Sequence, residues 1–272
     1  MKRIWWLIIA AVLITISVLI FLQLKKNSPA GAAVSITGRL SASKLQAEAK
    51  ELENKGDLSG SKAVYQKLAA DFSGSNEVAN WQKKIEDLNI KLLFSPTITP
   101  KSTLYQIKPG DTLGKIARAF NTTVELIKKS NNLSDDKIIP GKKIKVWTAP
   151  FSILVDKSQN ILILKNDEEV VKTYIVATGA NNSTPVGTFK IIEKLPNPTW
   201  FKAGAVVAPN SPDNVLGTRW MGFDIAGYGI HGTIEPQSLG KQVTQGCVRM
   251  ANPEVEELYT IVPKGTEVTI VD

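Results

Sequence analysis

The sequence predicts a multidomain chain. It runs from an apolar N-terminal helix through an α-helical segment and a small βααβ module to a mostly-β C-terminal domain. Three observations predict this. Ile4 to Leu22 is 19 residues without a charge. Between residues 41 and 93, apolar side chains recur at three- and four-residue intervals, the helical period. From residue 151 the apolar residues form short β-rich runs cut by turn residues, the pattern of strands.

As a helix the first run spans roughly 28 Å, about one hydrocarbon core. Trp5 and Trp6 fall where an interfacial aromatic belt sits. Residues 4–23 are therefore expected to be a transmembrane anchor. The alternative is a secretory signal cleaved after small residues such as Ala30-Gly31-Ala32. Lys2 and Arg3 precede the run and Lys25 and Lys26 follow it, so flanking charge alone does not orient it. Gly31 to Gly38 reads as a small-residue linker. In residues 41–93, Leu45, Ala49 and Leu52 share one helical face, Gly56-Asp57 break the run, and Val64, Tyr65, Leu68 and Phe72 form a second stripe. Ser75 is placed to cap a third helix carrying Val78, Trp81, Ile85, Leu88 and Leu92. The segment resembles one tetratricopeptide-like (TPR-like) unit. One repeat is too few for a solenoid, so a spacer is expected. Phe94 to Pro100, "FSPTITP", reads as a linker.

Residues 101–148 form the βααβ module. Leu104 to Ile107 reads as a strand and Pro109-Gly110 as a turn. Asp111 or Thr112 caps a helix with Leu113, Ile116 and Phe120, and Thr122 with Glu125 makes a capping box for a second helix. Pro140-Gly141 lead into a strand, Lys143 to Trp147. Tyr105, Pro109 to Leu113, Ile116-Ala117, Leu126, Asn131 to Leu133 and Ile139 to Gly141 together resemble the LysM domain. The resemblance implies binding of glycans that contain N-acetylglucosamine, peptidoglycan or chitin, in a groove between the first turn and the loop before the last strand. Here that means Gly110, Asp111, Thr112, Leu113, Ile139 and Pro140. Turn and cap chemistry accounts for several of these residues under either reading.

In residues 150–272, "FSILVD", "NILILK" and "VVKTYIVATG" read as a meander, followed by "STPVGTFKI" as loop then strand. Residues 195–217 read as a long surface loop. "TRWMGFDI" and "YGIHGT" are strand-like, Asn252-Pro253 cap and open a short helix from Glu254 to Ile261, and "GTEVTIVD" closes the chain as a strand.

Charge divides unevenly. Residues 101–149 carry 10 Lys and Arg against 4 Asp and Glu, while residues 150–272 carry 10 against 13. The basic excess suits an anionic cell-wall polymer or lipid surface. No aromatic-rich RNA signature or zinc-finger spacing accompanies it, so nucleic acid is not expected as a partner.

The chain holds one histidine, His231, and one cysteine, Cys247, 16 positions apart. One of each cannot supply the roughly four ligands of a structural zinc site, and one cysteine makes no internal disulfide. No metal or cofactor is expected. Cys247 reads either as a small buried hydrophobe or as a nucleophile paired with His231. Gly232 and Gly246, beside the pair, allow close approach of backbone or substrate. The amides of Gly246 and Cys247 are placed to hold an oxyanion, and an imidazole partner is expected to lower the thiol pKa.

His231-Gly232, then Thr244 to Met250 ("TQGCVRM"), with the upstream "TPVGTF" and "NVLGTRWM", resemble the catalytic domain of the YkuD-type L,D-transpeptidases. The resemblance implies a mostly-β fold around a cysteine nucleophile. By that resemblance Cys247 is expected to attack the carbonyl of an L-centre residue in a peptidoglycan stem peptide, release the terminal D-alanine, and pass the acyl group to an amine. His231 resembles the family base, and the Gly232 carbonyl resembles the group that orients it. Thr244, Gln245 and Arg249 are expected at the substrate, with a structural salt bridge as the other reading of Arg249. Many members carry Ser-His-Gly-Cys where this chain has Thr244-Gln245-Gly246-Cys247, which removes that extra histidine. Glycan binding and stem-peptide chemistry agree on peptidoglycan. The downstream domains are thus expected outside a bacterial membrane, tethered by the single span or secreted after signal cleavage. An L,D-carboxypeptidase using water, and a non-catalytic wall-binding protein, are the alternatives.

Overall fold

The computed structural model describes residues 36–272 other than 203 and 210. The expected membrane anchor, residues 4–23, lies outside the described residues. Among the described residues no helix is long and apolar enough to cross a membrane.

Three helices come first: α1 (Ile36–Asn54), α2 (Leu58–Asp71) and α3 (Val78–Leu93). Helix α1 begins inside the stretch expected to be linker. Asp57 caps α2 by accepting from Gly60 N. The expected cap of α3 moves: Glu77 is the N-cap position, and its carboxylate accepts from Asn80 Nδ2 rather than from a backbone amide of the first turn, while Ser75 Oγ accepts from Glu77 N. Ala49, Tyr65, Leu68, Trp81, Ile85 and Leu88 form the core of this unit, as their spacing requires.

The unit is not a free spacer arm. Ile90 and Leu93 of α3 join the core of the C-terminal domain. Asn89 Nδ2 donates to Val170 O at 3.2 Å and to Val171 O at 2.9 Å. These carbonyls lie on β5 (Glu169–Ile175), the edge of an eight-stranded sheet. An exposed edge invites pairing with another chain, and α3 covers this one.

The βααβ module pairs β1 (Ser102–Gln106) antiparallel with β2 (Lys143–Trp147), around α4 (Leu113–Ala119) and α5 (Val124–Ser130). Thr112 caps α4 by accepting from Lys115 N. The cap of α5 is Thr123, one residue later than expected, and Thr122 Oγ1 is buried without a partner. The module is fastened on two sides. Lys145 is buried, and its Nζ donates to Leu92 O at 2.6 Å and Ser95 O at 2.8 Å at the end of α3. Desolvation pushes its pKa down to about 8. Thr123 Oγ1 donates to Thr260 O in α6 (Asn252–Ile261) of the C-terminal domain.

The large sheet has the order β13-β11-β10-β7-β14-β3-β4-β5. It comprises β3 (Phe151–Asp156), β4 (Ile161–Asn166), β5, β7 (Gly187–Pro196), β10 (Arg219–Phe223), β11 (Gly229–His231), β13 (Val248–Arg249) and β14 (Glu267–Val271). Its pairs are antiparallel except β14 with β3 and β11 with β13. The strand β6 (Thr178–Gly179) pairs with β12 (Gln242–Thr244). Residues 195–217 are not wholly loop: β8 (Trp200–Lys202) and β9 (Ala205–Val207) make a hairpin there. Helix α6 begins two residues earlier than expected. Ala251 is its N-cap position, and the Asn252 side chain makes no cap bond.

Candidate active site

The parallel pair β11–β13 brings the two ends of the motif together. His231 is in register with Arg249, and Ile230 with Val248. Strand alternation places position 247 on the same face as position 249, and so on the side of His231. A backbone hydrogen bond from Gly229 lowers the Cys247 pKa, as expected for the next step of that register, and Arg249 acts electrostatically on both Cys247 and His231.

His231 is 4% exposed. Its Nδ1 lies 2.6 Å from Gly232 O. A carbonyl oxygen only accepts, so Nδ1 carries the proton and Nε2 keeps the lone pair. The indole of Trp220, opposite His231 in the β10–β11 ladder, stacks on the imidazole at 6.1 Å between centroids and 25°. Trp220 Nε1 is itself held by Glu193 Oε2 at 3.0 Å. Burial drives the His231 pKa down to about 4; the Gly232 carbonyl opposes this and Arg249 adds to it. The imidazole is neutral at pH 7.

Cys247 is half-buried, and its Sγ donates to Gly227 O at 3.4 Å. Burial raises its pKa, partly offset by the Gly229 hydrogen bond and Arg249. The expected lowering of the thiol pKa is overturned, because desolvation outweighs the favourable contacts. The raised thiol pKa and the lowered imidazole pKa leave both groups neutral at pH 7.

Residues around the cysteine serve its turn. Thr244 Oγ1 donates to Cys247 O at 2.7 Å and accepts from Gly246 N at 3.2 Å. The Gly246 amide is thus engaged within the turn, which leaves Cys247 N–H of the two expected donors. Gly246 has φ +128°, and a Cβ there would stand 2.6 Å from Tyr228 Cε1, so this position requires glycine. The "TPVGTF" stretch lies alongside: a Cβ on Gly179 would reach Thr184 N at 2.6 Å and Gly246 Cα at 3.0 Å. Gln245 is exposed.

Arg249 takes the salt-bridge reading. It is 9% exposed, and its Nη1 donates to Glu235 Oε2 at 2.7 Å and Ser238 Oγ at 3.0 Å. The backbone N–H and C=O of Arg249 also bond Ala177.

In the βααβ module the chain after β1 meets the loop before β2. Gly141 N donates to Ile107 O at 2.8 Å, and Ile107 N to Lys142 O at 2.9 Å. Ile139 is 56% exposed, whereas Leu113 is 2% exposed and belongs to the core. Asp111 Oδ2 accepts from Tyr105 OH and Lys108 N, both at 2.8 Å. These bonds, the Lys108 amide first, hold its carboxyl below the usual range. Gly110, with φ +81°, forms the turn; Thr112, Ile139 and Pro140 remain on the surface.

Trp220 and Asn252, outside the expected catalytic set, contact the His231 ring and its loop. Trp220 lies in the "NVLGTRWM" stretch, and Asn252 is expected only as a helix cap. Asn252 Oδ1 accepts from Thr218 N and Thr233 N, and its Nδ2 donates to Thr233 O.

Residues 150–270 match the YkuD family, described as the L,D-transpeptidase catalytic domain, and residues 105–147 match the LysM domain. The protein named L,D-transpeptidase YkuD in Bacillus licheniformis is 37% identical over 175 residues, which are 61% of this chain and 98% of that one. Its namesake in Bacillus subtilis is 36% identical over 61% of this chain and 97% of that one. The Bacillus subtilis protein named L,D-transpeptidase YqjB is 44% identical over 44% of this chain and 70% of that one. With its buried histidine and cysteine turn on adjacent parallel strands, this chain belongs to the YkuD-type L,D-transpeptidase family and carries a LysM domain.

Proposed function

We propose that the protein is a peptidoglycan L,D-transpeptidase in which Cys247 is the nucleophile and His231 the general base. The observation that carries the roles is the β11–β13 register, which sets the buried imidazole beside the cysteine turn with Nε2 unprotonated.

As Sγ attacks the stem-peptide carbonyl carbon, the thiol proton passes to His231 Nε2. Charge on the former carbonyl oxygen is received by Cys247 N–H. Collapse breaks the amide C–N bond, and the imidazolium returns its proton to the departing D-alanine amine. An acceptor amine then attacks the thioester, gives its proton to His231, and releases the cysteine. A neutral pair suits this sequence. The thiol stays protonated until substrate arrives, and the imidazole is ready to take the proton. Arg249, engaged by Glu235, holds the strand, and Thr244 shapes the turn; Gln245 alone of the three faces solvent beside the thiol.

The LysM domain holds the enzyme on the glycan strands, and its basic surface adds attraction to anionic wall polymer. Helices α1–α3 brace both domains. Residues 4–23 anchor the chain in the bacterial membrane with the catalytic domain on the outer face. Cleavage of that segment would instead release the same domains into the wall.

The test is mass spectrometry of muropeptides after incubating the full chain with disaccharide-tetrapeptide. Cross-linked dimers that have lost one D-alanine are expected. Tripeptide product alone would make the enzyme a carboxypeptidase, and an unchanged stem would remove the enzymatic reading.

A further inference from the structure

We propose that Asn252 is a positioning residue for the His231 imidazole, acting through the Gly232–Thr233 peptide. The inference rests on the reading of His231 as general base. The carbonyl that receives His231 Nδ1–H at 2.6 Å belongs to Gly232. The N–H at the other edge of the same planar unit belongs to Thr233, and it donates to Asn252 Oδ1 at 3.0 Å. One peptide plane is therefore gripped at both edges. It cannot turn its carbonyl away from the imidazole without breaking the bond to Asn252. The arrangement also polarises the peptide in the sense that strengthens the carbonyl as an acceptor.

The asparagine amide is itself fixed. Its Oδ1 also accepts from Thr218 N at 3.2 Å, and its Nδ2 donates to Thr233 O at 2.8 Å. The slot it occupies exists because two neighbours lack side chains. A Cβ on Gly232 would fall 2.2 Å from Asn252 Oδ1, and one on Gly217, where φ is +62°, would fall 2.3 Å from the same atom. Asn252 opens α6 yet makes no cap bond to it, so its side chain serves the loop rather than the helix.

The consequence for chemistry is the tautomer. With the carbonyl in place the ring proton stays on Nδ1 and Nε2 can take the thiol proton. With the carbonyl turned away, the neutral ring can carry its proton on Nε2 instead, and that form is no base toward Cys247.

The chain has one histidine, so the imidazole ¹⁵N spectrum of the full-length protein in detergent reports on His231 alone. Wild type should show the Nδ1–H tautomer. Asn252→Ala should show a mixture of both, with kcat for D-alanine release down about tenfold or more and KM within about twofold. Asn252→Asp loses the donor bond to Thr233 O but keeps both acceptor bonds, the one to Thr233 N–H included, and should keep the wild-type tautomer. A single unchanged tautomer in Asn252→Ala, or loss of kcat with the tautomer intact, overturns the proposal; so does a tautomer mixture in Asn252→Asp. His231→Gln separates the two readings. If that variant turns over like wild type, the base assignment falls, and the Asn252→Ala spectrum still decides whether Asn252 positions the ring.

Discussion

The LysM turn and the histidine loop hold their groups by opposite means. In the turn, Tyr105 and Lys108 reach Asp111, and Lys115 reaches Thr112, across three to six positions of chain. In the histidine loop, Asn252 reaches Thr233 across 19 positions and Thr218 across 34. The turn is set by its own few residues. The loop is set by a helix and a strand that must already be in place. A substitution distant from the chemistry should therefore be felt in the C-terminal domain, while the LysM turn should answer only to its immediate neighbours.

The largest effect concerns the cysteine. Wild-type protein should take one covalent adduct from a carbapenem by intact mass, and Cys247→Ala none. A folded wild type that takes no adduct would remove the nucleophile from the account. Next is the base. General-base removal costs about 10²- to 10⁴-fold in rate, so His231→Gln should fall that far in D-alanine release while keeping its near-UV circular dichroism. The LysM side should give smaller, local effects. Thr123→Ala loses the cap on Leu126 N and the bond to Thr260 O, an expected cost of about 1–2 kcal/mol in chemical denaturation. Thr122→Ala removes a hydroxyl without a partner and should cost far less. Equal losses would show that the cap has been assigned to the wrong threonine. Smallest is Gln245→Ala. An exposed amide with a positioning role should lose tenfold or less. A loss matching His231→Gln would move Gln245 into the catalytic set.

The same contrast explains what could be read from the sequence. The βααβ order, the turn at Gly110 and the cap at Thr112 were legible because their causes lie within a few residues. Even there the second cap slipped from Thr122 to Thr123, two adjacent residues of the same type. His231 and Cys247 stand out in the sequence because each is the single residue of its kind. Their protonation states do not, since burial by β10, β11 and β13 decides them. Asn252 looked like a helix cap because Asn before Pro usually is one, and a tertiary contact claimed its side chain instead. The docking of α3 on β5 left no local signal, because Asn89 meets Val171 across 82 positions.

The proposed chemistry needs a neutral thiol and a neutral imidazole, and the pH dependence of Cys247 acylation by a carbapenem tests this most directly. The folded His231 pKa of about 4 lies below the ordinary value of 6.5. Between those values an exposed imidazole would be protonated and useless as a base, while this one remains neutral. The wild-type rate should therefore persist as pH falls through 6.5 and decline only toward pH 4, and His231→Gln should lack that decline. A wild-type rate that falls with a midpoint near 6.5, or one that matches His231→Gln at every pH, would contradict the account.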